Sequence, residues 1–100
     1  MLTHDKTMTV GLVVWDLQIP GCASLKEKRS VVKGLKDRLH ARFNVSAAET
    51  GHQDLLQRAE IAVCVVSEDR RHAQSVLSSA DRLVEEEGRA RIVDSYTTFY

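Results

Sequence analysis

From residue 8 onward the chain changes apolar period five times, and the changes divide it into six elements. Val10, Leu12 and Val14 alternate with Gly11, Val13 and Trp15, and Leu17 and Ile19 extend the run, so residues 8–19 read as a strand with apolar side chains on both faces. A strand of that kind is covered on both sides, centrally in its own domain or by a partner chain. Pro20-Gly21 ends it. Ser24, with Glu27 three residues later, is a capping-box signal that starts a helix running to Phe43. Leu25, Val32, Leu35, Leu39 and Phe43 recur at helical spacing as its buried stripe, and at about 100° per residue Lys28 falls inside that stripe with Arg29 beside it.

Residues 44–50 form a short strand, with Val45 and Ala47 on one face and Ser46 and Ala48 on the other. Gly51 turns it into the polar connection 52–58. Residues 59–67 are again a strand with apolar residues on both faces, Ile61, Val63 and Val65 against Ala62, Cys64 and Val66, which places it centrally. Ser67 or Asp69 caps a second helix, in which Ala73, Val76, Leu77, Ala80, Leu83 and Val84 keep a 3.6-residue period, and Gly88 is placed to stop it. A last strand covers 90–97.

Strand, helix, strand, strand, helix, strand is the order of the ferredoxin-like split βαβ sandwich, an α+β fold with a four-stranded antiparallel sheet and two helices on one face. Short right-handed connections bring one set of loops together at one end. Lys26, Lys28 and Arg29 are therefore expected to approach residues 51–58 and 85–91. The polar, aperiodic residues 1–7, which include His4, read as an N-terminal extension, and 8–100 as one domain.

Charge changes the picture more than composition does. Formal net charge is zero, yet seven of the 14 lysines and arginines fall in 24–43, against Glu27 and Asp37 alone. The rest of the chain is acidic, most densely at Glu85-Glu86-Glu87. The two cysteines stand in unlike settings, Cys22 in a Pro-Gly loop and Cys64 in an apolar run, so free thiols and a reducing cytoplasm are expected. No apolar run reaches the roughly 18 residues of a membrane span, and residues 1–7 lack the apolar core of a signal peptide.

Catalytic constellations are sparse. His4, His40, His52 and His72 share no metal-ligand spacing with one another or with a cysteine, so neither metal nor cofactor is expected. His40 reads as solvent-facing, Cys22 as an incidental thiol and Cys64 as a small apolar residue. An acylphosphatase would need a glycine-rich anion cradle with an arginine after the first strand, and Ile19-Pro20-Gly21-Cys22-Ala23-Ser24 lacks it. His52 and Asp54 are spaced to orient one another in a loop, with no nucleophile beside them.

Four blocks in this order, Ser24-Leu25-Lys26-Glu27-Lys28-Arg29, Phe43-Asn44-Val45-Ser46, Gly51-His52-Gln53-Asp54-Leu55 and Gln57-Arg58-Ala59-Glu60-Ile61-Ala62-Val63, resemble the YlxP-like family of small bacterial proteins, whose biochemical activity is unassigned. The likeness runs from residue 8 nearly to the end. It implies a ferredoxin-like fold in a bacterial cytoplasmic protein. Because members are commonly encoded beside translation initiation and ribosome-maturation factors, it also implies RNA or a ribosomal particle as partner. One position departs: Leu56 stands where Trp is expected.

Two binding roles follow. In the first, Ser24, Lys26, Lys28, Arg29, Lys33, His52, Gln53, Asp54, Gln57 and Arg58 form a non-enzymatic nucleic-acid or anion site, with phosphates at the helix start and along its basic face. In the second, the domain is a homodimeric interaction module joined through its sheet, with Val13, Trp15, Cys64 and Val66 as the interface and a small ligand or protein partner at the sheet face.

Overall fold

The computed structural model describes residues 8–100; the extension expected over 1–7, with His4, lies outside them. The elements are β1 (Thr9–Gln18), α1 (Leu25–Arg42), β2 (Ser46–Gly51), β3 (Arg58–Ser67), α2 (Arg70–Glu85) and β4 (Arg91–Phe99). All strand pairs are antiparallel and the sheet order is β2-β3-β1-β4. With both helices packed on one face, this is the ferredoxin-like arrangement that the element order implies.

Side-chain parity sorts β1 and β3 between two environments. In β1 the buried positions are Thr9, Gly11, Val13, Trp15 and Leu17, continued by Ile19, and in β3 they are Ala59, Ile61, Val63 and Val65. These meet Val31, Val32, Leu35 and Leu39 of α1 and Ala73, Leu77, Ala80, Leu83 and Val84 of α2 to form the core. The other parity faces away from the helices and is only partly buried. That face reads as five rows across the sheet: Val10 with Val66; Leu12 with Cys64 and Thr98; Val14 with Ala62 and Tyr96; Asp16 with Glu60 and Asp94; Gln18 with Arg58 and Arg91.

Gly11 leaves room beneath α2 for the Leu77 side chain to pack on β1. A Cβ there would lie 3.0 Å from Leu77 Cδ1, 3.1 Å from Phe99 Cε1 and 3.2 Å from Val65 Cγ1, tighter than ordinary packing on three sides. The missing side chain lets helix and strand approach.

Local details differ from the sequence pattern in two places, the buried stripe of α1 and the end of α2. Leu25 is 44% exposed and Phe43 only half-buried, while Val31 takes a core position the stripe did not include. Leu25 is the first helical residue and borders a groove instead of the core. Gly88 does not stop α2: the helix ends at Glu85 with Glu86 as a cap of ordinary helical dihedrals, and the next turn is organised by the Glu87 side chain. The cap at the start of α2 is Asp69, which accepts from Arg71 N, while Ser67 Oγ accepts from Asp69 N.

Candidate functional site

The loop after β1 sets the start of α1. Gly21 turns the chain with φ +74°, a value that suits glycine. Ser24 Oγ accepts from Glu27 N at 3.1 Å, and Glu27 Oε2 accepts from Ala23 N at 3.0 Å, one residue further back than in the usual capping box. Cys22 is buried, its thiol 3.5 Å from the Ser24 carbonyl.

One turn on, Lys28 is 3% exposed. Its ammonium donates to the carbonyls of His52 at 2.5 Å and Leu55 at 2.7 Å, and lies 3.3 Å from Glu49 Oε2. Glu49 shares the parity of Val45 and Ala47, so β2 turns a carboxylate toward the helix layer, where the cation meets it. The whole head group is buried among partners, whereas a snorkelling lysine would carry it out to water.

His52 links the two faces of the sheet. Its backbone is left-handed, φ 59°, which directs the carbonyl to Lys28 and the imidazole to Asp16, with Nε2 3.2 Å from Oδ1. Asp16 also receives the Arg58 guanidinium, Nη2 at 2.5 Å and Nε at 3.3 Å. Gln57 completes the joint: its carbonyl accepts from Ile19 N at 2.8 Å and its amide lies 3.5 Å from the Cys22 carbonyl. Four expected site residues, Lys28, His52, Gln57 and Arg58, thus pin the 52–58 connection. The His52–Asp54 pairing does not form, because Asp16 takes the imidazole.

The remaining candidates stay at the surface. Lys26, Arg29, Gln53 and Asp54 are exposed, and Lys33 is exposed in an ion pair with Asp37. Arg29, Lys33 and Lys36 border a groove of about 440 Å³ with Gln53 and Asp54 across it. At the N-terminal end of the same helix, Lys26 borders a second cavity, about 590 Å³, with Cys22, Val31 and Arg89. The approach of the helix start to both loops matches the topological expectation.

Glu87 organises the α2–β4 turn. It accepts from Arg38, from Arg89 N at 3.0 Å and from Arg89 Nε at 3.1 Å. Burial alone would push its carboxyl up, but the Arg89 side chain and backbone and the Arg38 guanidinium outweigh burial and hold it down at about 2. The Lys33 contact likewise lowers Asp37.

Sequence reasoning missed Asp16 and Glu49, the two carboxylates that pair with the cations holding the connection. A signal for each was present. Asp16 interrupts an apolar alternation, and Glu49 occupies a core-facing parity where a lone carboxylate requires a cation. Parity also corrects the expected interface. Val13 and Trp15 share the parity of Leu17 and Ile19, so they lie under the helices at 2% and 0% exposure, with Trp15 Nε1 donating to Asp81 at 2.8 Å. Cys64 and Val66 are on the opposite, open face, Val66 at 67% exposure. Among the described residues, no group of three His, Cys, Asp or Glu side chains is placed to hold a metal ion, and no helix is long and apolar enough to cross a membrane.

Comparison with known proteins agrees with this architecture. Residues 10–97 match the family model described as "Protein of unknown function (DUF503)". The uncharacterized protein YlxP of Bacillus subtilis (strain 168) is 37% identical over 80 residues, 76% of this chain and 87% of that protein. A dimeric ferredoxin-like protein of unknown function from Bacteroides fragilis superposes with TM-score 0.60 at 13% identity, covering 97% of this chain and 98% of that one. Another, from Thermobifida fusca, gives TM-score 0.50 at 10% identity over 97% and 93% of the two chains. At these identities the two structures speak to the fold.

Proposed function

This chain belongs to the DUF503 family, proteins of unknown function, and from that premise we propose that it is a non-catalytic, cytoplasmic binding domain that takes the phosphates of an RNA on the outward side of α1. The observation that carries the reading is a cationic stripe. Lys26, Arg29, Lys33 and Lys36 follow one another at i, i+3, i+7 and i+10, within about 80° of helix surface and along about 15 Å of axis. Among the described residues only Lys33 of the four has an ion-pair partner, and its exposed pair with Asp37 is of the kind worth well under 1 kcal/mol. Lys28, by contrast, has a structural role and is not part of the surface offered. The free cysteines suit a reducing compartment, and the choice of RNA among polyanions rests on what the resemblance to the YlxP-like family implies.

Salt-titrated binding of single-stranded RNA tests it. Four phosphate contacts give log K against log salt a slope of about −3, falling to about −1 in Lys26→Ala/Arg29→Ala/Lys36→Ala. Affinity indifferent to salt, or unchanged in the triple variant, removes the reading.

A second reading concerns assembly. Apolar side chains occupy three rows of the open sheet face, and Tyr96 and Val66 on it are 58% and 67% exposed. That composition supports a homodimer, as do the dimeric states of the Bacteroides fragilis and Thermobifida fusca proteins. The two readings are compatible, since a sheet-face dimer leaves both copies of α1 outward.

A further inference from the structure

The five rows of the open face are sorted by chemistry along the strands. Three rows with apolar centres, Val10-Val66, Leu12-Cys64 flanked by Ser46 and Thr98, and Ala48-Ala62-Val14-Tyr96, are followed by an acidic row, Glu60-Asp16-Asp94, and then by a row carrying Arg58 and Arg91. Within the acidic row only Asp16 holds an arginine, and Glu60 accepts from Thr50 Oγ1 at 2.8 Å. Strands about 4.8 Å apart and rows about 6.8 Å apart make the three apolar rows roughly 400 Å² in projection, about half of the ~800 Å² each partner buries in a standard protein interface and on the scale of a weak, reversible association. The apolar rows therefore suit a second apolar surface of similar extent, and the acidic row turns away a polyanion.

We infer that the partner is a second copy of this chain, packed sheet to sheet about a twofold axis that lies in the interface and runs across the strands. The inference rests on the homodimer reading and gives it a geometry. A twofold axis parallel to the strands would superpose each row on itself, stacking Asp16, Glu60 and Asp94 on their own copies at the ~10 Å spacing of packed sheets. Like charges so placed in a partly desolvated interface repel strongly. An axis across the strands through the apolar rows brings those rows together. It sends the two acidic rows to opposite ends of the interface, separated by about 27 Å along the strands. Leu12 and Cys64 then lie near the axis. Charge sorting, more than apolar content alone, selects this arrangement.

Thiol crosslinking in the intact chain reads the geometry directly. Cys22 is 4% exposed on the helix side, so a short bismaleimide acts through Cys64. Wild type is expected to give a covalent dimer that Cys64→Ala abolishes, and Glu60→Cys in the Cys64→Ala background is expected to give none. Leu12→Asp is expected to be monomeric by light scattering with an unchanged circular dichroism spectrum. If that variant fails to fold, Val66→Glu, altering a side chain already 67% exposed, takes its place. A wild-type monomer at 100 μM, about the upper end of stable micromolar association, removes the homodimer reading itself. A dimer in which the Glu60→Cys variant crosslinks, or which survives both substitutions, leaves that reading standing and overturns the axis and face proposed.

Discussion

The ammonium of Lys28 in α1 donates to the carbonyl oxygen of Leu55 at 2.7 Å, tying the first turn of the helix to the connection between β2 and β3. The His52 carbonyl accepts a second hydrogen bond from it, and the Glu49 carboxylate balances its charge from 3.3 Å without a hydrogen bond. Lys28→Ala leaves two carbonyls and a carboxylate without their cation, for a loss of about 3 kcal/mol in urea unfolding. Amide exchange across residues 52–57 should accelerate in the same variant. Unchanged exchange there would mean that the lysine does not hold the loop.

His52 separates backbone from side-chain effects. Its φ of 59° costs an L-residue about 1 kcal/mol. His52→Gly and His52→Ala both lose the contact with Asp16, but only the glycine relaxes the backbone, so the glycine variant should be the more stable by about 1 kcal/mol. Thermal unfolding of the pair checks it, and the reverse order would contradict a left-handed residue.

Gly11 lies beneath α2 with three side chains within 3.0–3.2 Å of any added Cβ. Gly11→Ala is expected to destabilise the fold by about 1–3 kcal/mol through overpacking. Because Leu77 Cδ1 is the nearest atom, Gly11→Ala with Leu77→Val should cost less than the two changes summed. Strict additivity would place the clash elsewhere.

Glu87 gives the acid response a direction. Its folded value, about 2, lies below the ordinary 4.5, so its contribution is fully present above about pH 4.5 and is lost as pH falls toward 2. The arginines are about half exposed, so screening limits the effect to about 2 kcal/mol. Wild type should therefore lose more stability between pH 5 and 2.5 than Glu87→Gln does. Parallel pH profiles for the two would count against the Arg38–Glu87–Arg89 cluster.

Much of the fold was legible because its signals are local. Alternation, 3.6-residue spacing and the Ser24–Glu27 cap report on neighbours in sequence, and they yielded six elements in the observed order. Element ends were less legible where a long-range side chain decided them. Glu87 shapes the turn after α2 through Arg38, and Gly88, the obvious stop signal, plays no such part.

By itself, then, the sequence determined the ferredoxin-like order, the cationic bias of α1 and the end of the sandwich where its loops converge. Through Asp16 and Gln18 it also carried the parity that sends Val13 and Trp15 inward. Only the tertiary structure decided which charges are consumed in holding the chain and which remain available. Lys28 finds its acceptors 24 and 27 residues away, and Arg58 finds Asp16 at a separation of 42. Those pairings depend on how β1, α1 and the 52–58 connection meet in space, and a buried cation takes whatever acceptors the packing brings to it.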